Sequence, residues 1–424
     1  MAHTLLLFDP ADLPPAVRYE KLFGNLPRLQ ENFPKVGRPP ISRNSLLKAL
    51  IYSNLRRLAT LSDLEFELNN NPSMAQVVGL NPLGTAPSVE RFSSFLRDTN
   101  NEDLQQIRRQ LVIQLIKEDV ISGSVIVIDS CPIVVQVREN NLKTAVANRF
   151  DKERRPAGDP EARLGVMIHY PKPFQKEVRY FWGYRNHAVC DFPTELPISE
   201  ITKPANVSEI KMAIPIIKQA QQIFNLSINI IIGDTAYDAE DLLRFIIKEL
   251  KAEAVIPHNP RNQQQKGYHT KGNQILCEAG LPMYRKGKMR PKRTGILYCQ
   301  YSCPIYYDKK IRYQYIICPV YHPKFLNGKG CNTLIRLEPS VRAEIDYGSE
   351  RFKELYNSRT SVERVFSRLL SIAMQNPTVK GLKAISNHCT IAHITVLLIA
   401  LTAHRSGQQD KIRFVKSFVP NFLH

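Results

Sequence analysis

Two short runs of β-branched residues, each ending in an aspartate, constrain the fold of this chain most. They are SVIVIDS at residues 124–130 and SINIIIGD at residues 227–234. Apolar residues that follow one another without polar alternation are typical of strands buried on both faces. Helix-like segments lie at residues 207–224 and 239–251, and further strand-like runs are ARLGVMIHYP, KEVRYFWGYRNHAVCD and AEAVIP. The sequence therefore predicts an α/β fold whose sheet is covered by helices on both faces.

The 424 residues divide into five segments by pattern. Residues 1–120 predict an all-helical N-terminal domain, because apolar residues recur at helical spacing behind capping residues such as Ser62 or Asp63. Residues 121–256 and 346–405 carry the two parts of the α/β core, and residues 406–424 form a tail. Between the core parts, residues 257–345 predict a basic, Cys/Tyr-rich β insertion, with a β-hairpin within residues 298–321.

The chain carries a formal net charge of +19 and has a pI near 9.6. An excess of this size indicates a polyanionic partner, and nucleic acid before membrane. Much of the excess lies in residues 257–342, which hold 16 Lys and Arg residues and three acidic residues. The strip at residues 285–293, which includes Arg290, Lys292 and Arg293, is either a solvated loop or a surface that binds DNA phosphates.

The cysteine content and the apolar segments bear on the compartment. Eight cysteines are too few for a disulfide framework in a chain of this length, which indicates a reducing compartment. The N-terminus lacks the basic segment and the long apolar run of a secretory signal. The most apolar stretch, residues 391–403, is shorter than the roughly 20 residues of a membrane span and predicts a buried helix. We therefore expect a soluble cytoplasmic protein, associated with the nucleoid if its partner is DNA.

The insertion also offers a possible zinc site. Its candidate ligands are Cys299, Cys303, Cys318 and Cys331, with Cys277 and His322 nearby. Cysteine thiolates in a tetrahedral set are the usual ligands of structural zinc. Neither pair has the tight C-x2-C spacing, so ordinary buried thiols are the favoured interpretation.

The two aspartates at the strand ends are the first candidates for chemistry. Asp129 ends the first β-branched run and Asp234 ends the second. Carboxylates in this position lie at the rim of a sheet, where α/β folds place their sites. Each could equally be a turn residue or a helix cap. Asp238, a few residues on, predicts such a cap for the next helix, with Asp241 in its first turn.

A late helix offers a third carboxylate. In YNSRTSVERVFSRLLSIA the apolar residues form one helical stripe, and Tyr356, Arg359 and Glu363 are spaced to share a face beside it. An ordinary Arg–Glu pair one turn apart is the alternative. Three carboxylates from two strand ends and a helix can clamp two hard divalent cations about 4 Å apart for displacement at phosphorus.

The ordered set of motifs VIDS, GDTAYD and Y-x2-R-x3-E resembles the D-D-E transposases of bacterial and archaeal insertion sequences, in the branch marked by a Tyr-Arg-Glu-Lys helix signature. The N-terminal GRPP…LLKALIYSNL…LSDLEFELNNNPSMAQVVGL…PSVERFSSFLR is similar to that branch's helical DNA-binding region. FWGYRNHAVCD resembles its Gly-Tyr-Lys-x-His strand. The resemblance covers about residues 35–405.

The resemblance implies an RNase H-like catalytic core that binds two Mg²⁺ (or Mn²⁺) ions through Asp129, Asp234 and Glu363. It implies that Tyr356 and Arg359 contact DNA phosphate near the cut. The expected activity is binding of terminal inverted repeats in double-stranded DNA, cleavage at their ends and strand transfer to target DNA, by a homodimer on DNA. Residues 60–97 are compatible with a helix-turn-helix or a plain helical bundle, and residues 36–39 with a minor-groove Gly-Arg-Pro hook.

Two departures from the signature concern basic residues. The position of the signature lysine, seven residues after Glu363, is Leu370, and Arg368 lies too far around the helix to replace it. Arg185 stands where the strand motif usually has lysine, and His187 after it is either a DNA contact or a satisfied strand histidine. The other function classes are a stand-alone metal-dependent nuclease of the same fold and a domesticated DNA-binding protein that has lost turnover.

Overall fold

The computed structural model describes residues 15–31, 40–172, 175–259, 267–272, 274–292 and 295–415. The possible hook at residues 36–39 and the side chain of Arg293 lie outside the described residues.

A mixed sheet lies at the centre of the described chain. Its strands are β1 (Val125–Val134), β2 (Arg163–Lys172), β3 (Gln175–Asp191), β4 (Leu196–Pro204), β5 (Ile230–Ile232) and β6 (Glu253–Val255). They are ordered β2-β3-β1-β5-β6, and the long β3 pairs with β2 along its first half and with β4 along its second. β1 is antiparallel to β3 and parallel to β5, which is parallel to β6. The mixed α/β class expected from the sequence is confirmed.

The glycine of the FWGYRNH motif has a steric role in this sheet. Gly183 pairs with Val134 in the β1–β3 ladder. A Cβ at Gly183 would lie 2.0 Å from the carbonyl oxygen of Ile133. Any side chain there would push β1 away from β3, so glycine is required for the close approach of the two strands.

Six helices precede the sheet. They are α1 (Pro15–Gly24), α2 (Arg43–Arg56), α3 (Leu61–Asn70), α4 (Pro72–Val77), α5 (Val89–Asp98) and α6 (Asn101–Lys117). The N-cap of α3 is Thr60, not Ser62 or Asp63 as expected. Asp63 takes the third helical position and completes a capping box with Thr60.

Two helices follow the antiparallel strands. α7 (Glu209–Phe224) leads into β5, and α8 (Glu240–Arg244) continues into a π-helical turn at Phe245–Glu249. Ala239 takes the N-cap position of α8, so the cap expected at Asp238 is wrong. The Asp238 carboxylate instead accepts hydrogen bonds from the backbone N–H of Asn259 and from Nε of Arg342, both at 2.8 Å. It therefore fastens the two ends of the insertion to the core.

The insertion combines two small sheets with short helices. Its strands are β7 (Tyr268–Lys271), β8 (Gln274–Cys277), β9 (Tyr284–Met289), β10 (Tyr298–Ser302) and β11 (Asn332–Arg336), and its helices are α9 (Pro304–Tyr307), α10 (Lys309–Gln314) and α11 (Pro323–Leu326). Within residues 298–321 only β10 is a strand, so the expected hairpin is wrong. Pro304 begins α9 at a helical N-terminal position and Asp308 caps α10, which turns the chain into helices.

The last part of the chain is helical: α12 (Glu350–Asn357), α13 (Thr360–Ser371) and α14 (Leu382–Arg405). The single late helix expected to carry Tyr356, Arg359 and Glu363 is broken at Ser358 and Arg359. α14 is long and apolar enough to cross a membrane by length and composition, yet 89% of its most apolar window is buried inside the protein. It packs against β4 and against α2, α5 and α6.

One hydrophobic core joins the N-terminal helices, the central sheet and the helices that follow the insertion. Its members include Leu47 of α2, Leu111 of α6, Ile126 of β1 and Leu397 of α14, each completely buried. The N-terminal helices therefore bury their apolar faces against the last long helix of the chain, and residue 120 marks no boundary of the core.

Candidate active site

Asp129 and Asp234 stand at matching positions on neighbouring parallel strands. The last registered pair of β1 and β5 is Val127 with Ile232, and each aspartate follows its strand partner by two residues. Neighbouring strands lie about 4.8 Å apart, so the two side chains begin from adjacent points at one edge of the sheet. Asp234 also caps a short 3₁₀ turn, because its carboxylate accepts a hydrogen bond from the Ala236 N–H at 2.8 Å. Asp234 is therefore both a cap and a carboxylate at the edge of the sheet.

Burial makes this pair of carboxylates costly to ionise together. Desolvation raises the pKa of Asp129 to about 7, and the nearby charge of Asp234 adds to the increase. Desolvation, followed by the charge of Glu209, also raises the pKa of Asp234. Like charges that share a poorly solvated site favour a bound proton or a cation between them. Oxygen donors of this kind fit a hard divalent cation.

Arg359 links the helix carboxylate to the strand carboxylate. Its guanidinium lies 2.8 Å from Oε1 of Glu363 and 3.9 Å from Oδ2 of Asp129. It also lies 6.0 Å from the ring centroid of Tyr356. Burial opposes the charge of Arg359, but attraction to Asp129 and Glu363 raises its pKa. Tyr356, Arg359 and Glu363 therefore lie side by side, as expected, although the helix is interrupted before Thr360.

The third carboxylate is more open than the first. The side chain of Glu363 is 56% exposed, whereas that of Asp129 is 19% exposed. The Arg–Glu pair one helical turn apart, which was the alternative interpretation, is present as well. Glu363 therefore stays accessible to solvent while it is paired with Arg359.

The two signature positions further along α13 face other partners. Leu370 packs against the hydrophobic core. Arg368 donates hydrogen bonds to the Glu195 carboxylate at 3.0 Å and to the Glu195 carbonyl oxygen. Glu195 lies on the turn between β3 and β4. Neither side chain replaces the missing lysine, which agrees with the helical-wheel argument.

Glu209 is a fourth carboxylate that the sequence reasoning missed. Its Oε1 accepts a hydrogen bond from Ser130 Oγ at 2.5 Å and one from Arg185 at 2.7 Å. Arg185 also donates to Ser130 Oγ at 3.0 Å. Ser130 directly follows Asp129, so this triad ties the first turn of α7 to the strand end. Its only sequence signal is an acidic residue in the first turn of a helix, which is too common a feature to mark a site.

His187 pairs with Ser130 in the β1–β3 ladder, next to Asp129. It is 2% exposed, and neither ring nitrogen has a hydrogen-bond partner within the described residues. Burial lowers its pKa to about 4, so the imidazole is neutral at pH 7. The side chain is buried in this structure, and a contact of His187 with DNA stays a prediction.

The basic strip and Cys299 belong to the separate β9–β10–β11 sheet of the insertion. Arg290 pairs with Glu338 at 2.6 Å, Lys292 is exposed, and the cysteines are all unpaired thiols. Within the described ranges, no three His, Cys, Asp or Glu side chains already stand in an arrangement that could hold a metal ion.

The raised pKa of Asp129 predicts how an asparagine would act there. The folded state holds this proton up to about pH 7, whereas an unfolded aspartate loses it near about pH 3.9, so ionisation above pH 7 opposes folding. Asp129→Asn should raise the Tm at pH 8 by at least about 1 °C, equivalent to about 1 kcal/mol in a chain of this size. The gain should shrink as the pH falls from 7 toward 4, as measured by thermal unfolding over that range. Glu354→Gln, at an exposed position of α12, is the control. A Tm gain of the same size at every pH would contradict the prediction.

Comparison with known proteins gives the family. A family model described as "Transposase DDE domain" matches residues 122–399, and one described as "Transposase domain (DUF772)" matches residues 11–98. No curated protein matches the chain. A cryo-EM structure of a piggyBac transposase synaptic complex with hairpin DNA aligns over 97% of this chain and 87% of that chain, with 12% identity and a TM-score of 0.36, too loose a likeness to transfer any role.

The first model spans more than half of the 424 residues, including both strand-end aspartates and the α13 glutamate. The chain therefore belongs to the DDE transposase family, and it is an insertion-sequence type DNA transposase, an enzyme that acts on DNA.

Proposed function

We propose that this transposase binds the terminal inverted repeats of its own insertion sequence, cleaves the DNA at their ends and joins the freed 3′-hydroxyls to target DNA. One observation carries the proposal: Arg359 bridges Asp129 and Glu363 at 3.9 and 2.8 Å, which brings the late helix to the edge where Asp129 and Asp234 meet. The order β4-β3-β1-β5-β6, with β3 antiparallel to its neighbours, supports an RNase H-like core.

Asp129, Asp234 and Glu363 are the residues that would hold the divalent ions. Transposases of this family generally depend on a divalent metal. Two Mg²⁺ or Mn²⁺ ions would supply an activated oxygen nucleophile and charge stabilisation at the leaving oxygen. The raised pKa of Asp129 means that this carboxyl must give up a proton before it can act as a ligand.

Arg359 and Tyr356 would position the DNA strand. A guanidinium can bind two phosphate oxygens at once, and Arg359 is held at the carboxylates by a hydrogen bond to Glu363 and by its attraction to Asp129. A phosphate arriving at the site would compete for Arg359 and free Glu363 to turn inward. The ring of Tyr356, stacked on Phe352 with centroids 6.4 Å apart, limits how far Arg359 can swing.

The proposed activity is tested by cleavage of DNA that carries the ends of the element. In Mn²⁺ or Mg²⁺ the wild-type protein should cut at the repeat boundary, and Glu363→Ala should reduce the rate by at least about 100-fold, because a metal ligand is lost. Glu354→Ala, one helix earlier and exposed, should cut normally. Equal cutting by Glu363→Ala would remove that residue from the site.

The same assay separates the alternative functions. Transfer of the cut end into a target plasmid identifies a transposase, and cutting without transfer identifies a stand-alone nuclease. Specific repeat binding without any cut would indicate a domesticated binder.

Glu209 should act on the reaction through the residues beside it. Its negative charge raises the pKa of Asp129 and Asp234, so Glu209→Gln should shift the acidic limb of the pH–rate profile to lower pH. It also leaves Arg185 without its counter-charge, and we expect a fall in kcat of about tenfold or more while the Kd for DNA changes little. Glu249→Gln, on an exposed ion pair with Lys218, is the matched control. A lower kcat with an unmoved pH profile would contradict the electrostatic part of the prediction.

Two surfaces are proposed to hold DNA. One is the N-terminal part, residues 1–120, where α2, α5 and α6 line a groove of about 1040 Å³ that includes Arg43, Arg91, Ser88 and Ser94. The other is the insertion, where β9 presents Lys288 and the following loop presents Lys292 to solvent. The helical part shares its core with α14, so tests of repeat recognition need the full chain. Two DNA ends must meet during transfer, and we infer a homodimer on DNA in the cytoplasm.

Salt dependence tests the insertion surface. Replacing Lys288 and Lys292 by alanine should lower the slope of log K against log salt concentration by about 2, one unit for each lost phosphate contact. Arg290→Ala should change the slope little, because Glu338 already compensates its charge. The measurement is fluorescence anisotropy with end DNA across a salt series, and an unchanged slope for the double variant would exclude this strip from the interface.

A further inference from the structure

The insertion has a small core of its own, built around cysteines. Cys303, Ile305 and Cys318 form a buried cluster separate from the main core, and two of the three are thiols. The helices beside it, α9, α10 and α11, have four to six residues each. Helices this short are not stable alone, and so few apolar residues cannot hold them. A further cross-link is expected at this place.

A hydrogen-bonded chain of thiols lies at the edge of this cluster. The thiols of Cys277 and Cys331 share a hydrogen bond, and the thiol of Cys331 also shares one with that of Cys303. Cys318 packs in the same cluster as Cys303 and Cys331. Four cysteines from separate points of the chain are therefore neighbours.

The turn after Cys277 directs backbone amides toward its sulfur. The hydrogen bond with Cys331, together with those from the backbone around Ala279 and Leu281, lowers the pKa of Cys277 and raises that of Cys331, so Cys277 is the thiol of this pair that gives up its proton first. The turn is closed by hydrogen bonds from the Cys277 N–H to Leu281 O at 2.9 Å and from the Gly280 N–H to Cys277 O at 2.8 Å. A thiolate at neutral pH is the form that binds a metal.

The backbone before Cys331 is shaped to approach Cys303. Gly330 has a φ of +65°, and a Cβ on it would lie 2.6 Å from Cβ of Cys303. Only glycine fits this contact, which brings the residue next to Cys331 against the second thiol. The proximity thus depends on backbone geometry as well as on side-chain rotation.

Cys299, which the sequence analysis placed in the zinc set, has a different partner. Its sulfur lies on β10 and accepts a hydrogen bond from Nε of Arg285 at 3.2 Å. Cys277, named there only as a neighbour, takes its place among the clustered thiols.

We propose that Cys277, Cys303, Cys318 and Cys331 bind one Zn²⁺ ion that holds the insertion together. Among the described residues, no three of these side chains are arranged to hold a metal ion as they are. Zinc binding would therefore draw together thiols that are already neighbours of Cys331. Each ligand loses its proton, and a four-thiolate zinc centre carries a net charge of −2, which the surplus of basic residues in the insertion offsets. The site is separate from the carboxylates and does not rest on their proposed role.

The experiment is metal analysis of the full-length chain purified under reducing conditions without chelator. We expect one zinc per chain by elemental mass spectrometry, with Cys331→Ser losing most of it. Cys299→Ser, at a fully buried thiol on the neighbouring strand β10, should keep its zinc, and so should Glu363→Ala. Limited proteolysis should cut the insertion of Cys331→Ser faster than that of Cys299→Ser.

Three results would overturn the proposal. They are no zinc after equilibration with one equivalent of the metal, equal loss in Cys299→Ser, and a disulfide between Cys277 and Cys331 found by peptide mapping of alkylated protein. Loss of zinc without loss of cleavage would leave the active-site proposal intact. Loss of cleavage without loss of zinc in Glu363→Ala would likewise leave the zinc proposal intact.

Discussion

The buried carboxylate of Glu200 holds the layers of this protein in one arrangement. It accepts hydrogen bonds from Gln105 of α6, from Asn186 of β3 at 2.7 Å and from Thr390 of α14 at 2.7 Å, and Arg108 lies nearby. Leaving a buried charge without its partners costs about 3–5 kcal/mol, so each donor fixes its own element against β4. The N-terminal helices, the sheet and the last long helix are therefore specified together.

The position of the proposed catalytic edge follows from the same network. Asn186 lies two residues from Ala188, which is the partner of Asp129 in the β1–β3 ladder. The Asn186 side chain also meets Nε2 of His393 at 2.9 Å. A shift of β3 by one residue would turn the Asn186 side chain to the other face of the sheet and break these bonds. The polar core thus sets the register of β3 against β4, and β3 in turn pairs with β1, which carries Asp129.

The sequence predicts the parts of the site that depend on local pattern. Unbroken β-branched runs located β1 and β5, and parallel pairing then required Asp129 and Asp234 to be neighbours. The partners of Glu209 and Asp238 could not be found this way, because Arg185 and Arg342 reach them from distant points of the chain. Burial of His187 depends on which helix covers its face of the sheet, and a single strand pattern carries no such information.

The proposed catalytic edge and the rest of the chain carry opposite charge. The chain is strongly basic, yet its proposed catalytic edge gathers Asp129, Asp234, Glu209 and Glu363, with only Arg359 and Arg185 directly among them. Bare carboxylates would repel a phosphate, so DNA must be held by cations elsewhere while the edge is neutralised locally. In the proposed mechanism Arg359 would perform that neutralisation until a phosphate competes for it, and its release would free Glu363 to act as the third metal ligand. Binding of DNA and completion of the metal site would thereby be coupled through one guanidinium.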